Sequence, residues 1–247
     1  MIKQSGGQSI NRVDGRTPEQ LRPIRVIPDF MPNSGGSCLI EWGNTRVLVT
    51  ANASFNVPPF VDAEKSGWLT AEYAMLPGST LGRKQRERGK TDSRSVEIQR
   101  LIGRSIRSIL DFGAFAGITV NIDADVIQAD GGTRTASITG GYIAAALLFK
   151  KLLTEGKISR NPMQGYLAAV SCGVVEGNAL LDLCYKEDSN AEADMNFVGT
   201  EDGGISELQI SGEKRPVTDE ELAKLISLCK QGVAQLIDIQ KKVLEEA

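Results

Sequence analysis

Apolar and polar positions along the chain divide it into short alternating runs and longer runs of helical period. Cys38–Trp42 and Thr45–Ala51 are strand-like and flank Gly43-Asn44, which predicts a hairpin. Ala168–Gly177 and Ala179–Tyr185 repeat the pattern, with Gly177-Asn178 at or near the turn. From Ser95 to Asp111 the residues Ile98, Leu101, Ile102, Ile106 and Ile109 recur at helical spacing. Ile118 to Asp125 alternates like a half-buried strand, and a helix runs through Ile143–Leu153. A last amphipathic helix opens on the capping box Thr218–Glu221 and buries Leu222, Leu225, Ile226, Cys229, Val233, Leu236 and Ile237. Strands and helices mixed with hairpins predict an α+β class rather than a doubly wound βαβ series, with no linker between parts.

Composition narrows the chemistry. Among 247 residues there is no histidine, which excludes Ser-His-Asp triads, Cys-His pairs and His-ligated metals. Cys38, Cys172, Cys184 and Cys229 form no CxxC, so they read as reduced, buried thiols. The polar stretch Met1–Asn11 lacks an apolar core, and the uncharged run Thr135–Phe149 is shorter than a membrane span. Both predict a cytoplasmic protein.

The net charge of −3 hides an asymmetry. Arg83 to Arg107 carries nine basic residues against three acidic; Asp182 to Glu221 carries twelve acidic against three basic. An arginine-rich loop running into a helix fits a polyanion, because guanidinium forks match phosphate oxygens. The alternative is a solvated helix face with inter-subunit ion pairs, open above all for Arg100, Arg104 and Arg107. Gly82–Thr91 ends like a phosphate-binding Gly-Lys-Thr loop but has the wrong glycine spacing and no leading strand.

Gly131-Gly132-Thr133-Arg134 opens a helix after a strand. Free amides, a hydroxyl and a guanidinium at such a place suit an anion, although a plain strand-to-helix turn satisfies the same residues. Asp182 interrupts an apolar run, six residues before Asp188. If the strand continued, the two would share a face and could hold Mg²⁺ or act as a general acid; an interior ion pair with arginine is the other reading.

Longer motifs carry a resemblance. Arg12–Arg16, Leu21–Pro23, Gly67–Pro77, Glu97–Arg104, Gln128–Thr135, Asp182–Asp188 and Asp194–Asn196, in that order, resemble the ribonuclease PH family of phosphorolytic 3′-to-5′ exoribonucleases that trim tRNA precursors. The likeness spans nearly the whole chain. It implies an α+β ribonuclease PH-type fold with two similar βαβ-type halves, about 12–152 and 153–247, within one unit of 1–247. It implies that Arg94, Gly132, Thr133 and Arg134 bind inorganic phosphate, that Asp182 and Asp188 are the catalytic pair with Mg²⁺ nearby, and that Arg83 and Arg86 guide RNA. It also implies a homohexamer built as a trimer of dimers. The chain departs from the family pattern at Gly78, in a shorter loop between Arg86 and Arg94, and at Gln209–Glu213. A silent RNA-binding ring subunit and a hydrolytic metal-dependent exonuclease are the rival readings.

Overall fold

The computed structural model describes residues 12–86 and 92–247. The stretch Met1–Asn11, and Arg88 and Lys90 of the basic loop, lie outside the described residues. The chain first builds strands β1 (Ile24–Pro28), β2 (Gly36–Trp42), β3 (Thr45–Ser54) and β4 (Trp68–Met75). Helix α1 (Ser93–Arg107), strand β5 (Thr119–Gln128) and helix α2 (Thr133–Thr154) follow. The second half holds β6 (Leu167–Val175), β7 (Asn178–Leu181), the single turn α3 (Tyr185–Asp188), β8 (Ala193–Thr200), β9 (Ile205–Gly212) and α4 (Asp219–Glu246).

Two sheets result, ordered β1-β2-β3-β5-β4 and β7-β6-β8-β9. Both hairpins read from the sequence are present; the second turns on Glu176 and Gly177, both at positive φ, as a two-residue hairpin turn requires. β4 runs parallel to β5 with α1 between them in sequence, a complete β-strand–helix–β-strand unit. The second sheet departs from the implied repeat: all its ladders are antiparallel. Strands β1, β4, β8 and β9 answer no run singled out in the sequence, and β7 stops at Leu181 because Asp182 takes φ +56°.

α2 lies between the sheets, in contact with β2, β3 and β5 on one side and β6 on the other. It is 22 residues long with a mean hydropathy of 1.3 over its most apolar stretch, enough to cross a membrane by length and composition. That stretch is 78% buried by the protein's own sheets, so its apolar surface is already covered. α1 buries Ile98, Leu101, Ile102 and Ile106, the stripe expected of it, each worth about 1.5–3 kcal/mol. One continuous core joins both halves, from Ile40 and Ile122 through Ile138 and Phe149 to Phe197 and Leu225. All four cysteines are buried free thiols, and burial pushes Cys38 up to about 12.

Candidate active site

Helix α2 begins where β5 ends, and the turn between them needs glycine. Gly131 and Gly132 both take left-handed conformations, φ +77° and +66°. A Cβ on Gly131 would sit 2.5 Å from the Leu183 carbonyl oxygen. Gly132 is the N-cap and brings no side chain to the first-turn amides of α2, which leaves them for an anion. Thr133 is buried, and its hydroxyl oxygen accepts from the Tyr73 phenol of β4 at 2.9 Å. Arg134, half-buried, donates from Nη1 to Gln209 Oε1 at 2.9 Å. Arg94, near the start of α1, lines the same cleft of about 1020 Å³. Across it stand Asp188, at the end of α3, and Asp194, near the start of β8.

Asp182 is elsewhere: the structure does not place it on the cleft beside Asp188, as a shared strand face would have. It is 1% exposed and does not line the cleft. Its Oδ2 accepts from the Arg22 amide at 2.7 Å, from Arg22 Nε at 3.0 Å and from Trp42 Nε1 at 2.9 Å. Its Oδ1 accepts from Arg22 Nη2 at 2.7 Å, and Arg16 Nη1 approaches Oδ2 at 3.4 Å. Oδ2 is fully occupied by these donors and Oδ1 is engaged by Arg22, so the carboxylate is directed into the arginine cluster and not toward the cleft. The strand that would have aligned it with Asp188 ends before it. Asp182 is the interior arginine partner instead, in a buried cluster with Arg12, Arg16, Arg22 and Glu187. The cluster fastens residues 12–22 to 181–187, and Arg22 Nη1 also donates to the Asp130 carbonyl at 2.5 Å, bracing the glycine turn.

The carboxylate that faces Asp188 is Asp194, which sequence reasoning missed. Its signal was alternation: Ala193, Met195 and Phe197 point into the core, whereas Asp194 and Asn196 line the cleft. Desolvation at the cleft is the main cause that raises both carboxyls, Asp194 half-buried and Asp188 exposed at its rim. Arg134 and Arg94 oppose the rise at Asp188, while at Asp194 the next causes are the charges of Asp188 and Glu213. The Tyr73 phenol is raised by burial and drawn back by Arg94 and Arg134. The fields of both arginines therefore converge on the mouth of α2.

The basic stretch divides. Lys84 lines the cleft with Thr80, Leu81 and Gly82, while Arg83 and Arg86 are exposed beside it. Arg104 pairs with Glu207 at 3.1 Å, and Arg107 lies 4.7 Å over the Trp68 ring and donates to the Leu69 carbonyl. These two serve the chain's own packing.

Residues 20–148 match the 3′ exoribonuclease family, domain 1, and residues 165–232 match domain 2 of the same family. The chain belongs to the 3′ exoribonuclease family. Ribonuclease PH of Neisseria meningitidis serogroup C is 48% identical over 234 residues, 94% of this chain and 97% of the relative. The serogroup B protein of the same name is equally similar. Among solved structures, rice (Oryza sativa) Rrp46 superposes with a TM-score of 0.77 at 20% identity, covering 95% of this chain and all of that one. An Archaeoglobus fulgidus exosome chain, solved with RNA bound to the active site, gives 0.77 at 20% identity over 92% and 91% of the two chains. Those two share the fold. In this exoribonuclease chain the glycine turn, both arginines and the Asp188–Asp194 pair all open on one cleft.

Proposed function

We propose that this chain is a phosphorolytic 3′-to-5′ exoribonuclease that trims the 3′ end of tRNA precursors, with inorganic phosphate as the nucleophile. The observation that carries the reading is the single cleft shared by an anion-binding helix start, two arginines and two carboxylates. Phosphate sits against the Gly132–Thr133 amides, between Arg94 and Arg134, and attacks the last phosphodiester. The terminal nucleotide leaves as a nucleoside 5′-diphosphate. Because a phosphoanhydride forms as the ester breaks, the reverse reaction adds nucleotides from diphosphates.

Positioning and charge neutralisation supply most of the acceleration in such a transfer. The two arginines and the helix amides draw the anion into line and offset the charge gathered on the transferred group. Desolvation raises both carboxyls; Arg134 and Arg94 oppose the rise at Asp188, and the charges of Asp188 and Glu213 add to it at Asp194. A carboxyl of this pair, while protonated, can donate to the departing 3′ oxygen. Two adjacent carboxylates fit a hard divalent cation that keeps its waters. Asp188 and Asp194 would hold such an ion, Mg²⁺ for example, which would supply further neutralisation of phosphate charge. Arg83, Lys84 and Arg86 guide the RNA strand toward the cleft, and the working unit is a homohexamer.

The test is to incubate tRNA-length RNA with and without inorganic phosphate and identify the products. Nucleoside diphosphates formed only with phosphate are expected. Monophosphates would establish hydrolysis instead, and no product would leave a silent RNA-binding subunit.

A further inference from the structure

Arg134 is held through one nitrogen of its guanidinium. Its Nη1 donates to Gln209 Oε1 at 2.9 Å, and Gln209 Nε2 donates to Glu97 Oε1 at 3.0 Å. The same Glu97 oxygen lies 3.6 Å from Arg134 Nη1. Side chains from α2, β9 and α1 thus close a triangle. An amide presents one acceptor and one donor, so glutamine bridges a cation to an anion with both ends matched. A carboxylate at 209 would oppose Glu97, and an ammonium would oppose Arg134.

The triangle uses Nη1 alone. Among the described residues neither Nη2 nor Nε of Arg134 has a partner. Those two nitrogens form the side-on fork of a guanidinium, the edge that takes a phosphate with two parallel bonds. Glu97 also sits one helical turn beyond Arg94 on α1. Binding Arg134 to Glu97 therefore sets the spacing between the two arginines whose fields meet at Asp188 and Tyr73. Stability is a poor account of this arrangement, since Glu97 and Gln209 are exposed and surface pairs contribute little. Holding a long side chain in its binding rotamer beforehand removes an ordering loss at the moment of binding.

We propose that Gln209 and Glu97 are positioning residues for the phosphate nucleophile: they hold Arg134 by Nη1 so that its Nε–Nη2 edge faces the anion. This rests on the phosphorolytic reading above.

Binding of inorganic phosphate to the free protein, measured by titration calorimetry, reads the inference without reference to turnover. Gln209→Ala is expected to weaken phosphate binding about tenfold, a change typical of removing one charge-assisted hydrogen bond. The phosphate KM should rise in parallel, by more than kcat falls, with the melting temperature held. Gln209→Glu alone sets two carboxylates against each other and should bind phosphate no better than Gln209→Ala. The swap Glu97→Gln with Gln209→Glu rebuilds the triangle with the same charge: the carboxylate placed on β9 accepts from Arg134, and the amide placed on α1 donates to that carboxylate. Recovery of phosphate affinity to near wild type is expected. Unchanged affinity in Gln209→Ala, or a swap no better than Gln209→Glu, overturns the inference. Wild type that binds phosphate tightly yet releases monophosphates from RNA overturns phosphorolysis while the swap still reads the clamp; wild type that binds no phosphate overturns both.

Discussion

Replacing Asp182 by asparagine separates scaffold from chemistry. The position has φ +56°, which asparagine tolerates well, so the substitution adds little backbone strain. The amide oxygen can keep the place of Oδ2 and its three bonds, from the Arg22 amide, Arg22 Nε and Trp42 Nε1. What is lost is the charge, and the new NH2 group faces Arg22 Nη2 where a carboxylate oxygen accepted at 2.7 Å. Removing one partner of a buried ion pair costs about 3–5 kcal/mol. Three retained hydrogen bonds argue for the lower end, about 3 kcal/mol. At roughly 2–4 °C per kcal/mol for a chain of this size, melting should fall by about 6–12 °C. Circular dichroism melts at neutral pH read that shift, and phosphorolysis assayed well below the transition should stay within about tenfold of wild type, one decade of rate per 1.36 kcal/mol. A variant that melts with the wild type but has lost turnover would refute the scaffold role and return Asp182 to the chemistry.

Three further outcomes are expected. Burial and like charge raise the Asp194 carboxyl, so the folded protein holds its proton more tightly than the unfolded chain, and stability is lost as pH rises through the raised value. Asp194→Asn should then abolish turnover yet raise the melting temperature at about pH 7 and not at about pH 4; equal gains at both pH values would contradict it. Changing Arg83 and Arg86 together to alanine should weaken RNA binding and flatten its salt dependence by about 0.7 for each single-strand phosphate no longer neutralised. Phosphate affinity should hold, with stability within about ±0.5 kcal/mol, and an unaltered salt slope would remove these arginines from the RNA path. Gly131→Ala forces a Cβ to 2.5 Å from the Leu183 carbonyl at φ +77°, so both melting temperature and phosphate affinity should drop. Left-handed backbone alone contributes about 1–2 kcal/mol of that loss, and wild-type behaviour in calorimetry would mean the turn relaxes freely.

Local patterns in the sequence were enough for much of the fold. Helical spacing at Ile98, Leu101, Ile102 and Ile106, the capping box at Thr218, and the turn at Gly43 are each decided by neighbours a few residues apart, and each is found in place. The choice of Gly131–Arg134 as the proposed anion site was equally local, since it rests on glycines, a hydroxyl and a guanidinium at a helix start. Which aspartates face that site was not local. Asp182 and Asp194 both interrupt apolar strand sequence, and composition cannot tell a carboxylate held by buried arginines from one held open to a cleft. The distinction depends on Arg22, 160 positions away along the chain, and on Trp42, 140 positions away. Likewise the arginines of one basic stretch were alike on paper until Glu207 and Trp68 claimed Arg104 and Arg107. Residue types and periods determined the elements and the kind of chemistry, because those act over one or two turns of chain. Only the tertiary structure assigned each charge to core or cleft, because desolvation and ion pairing are set by groups that the fold alone brings within a few ångströms.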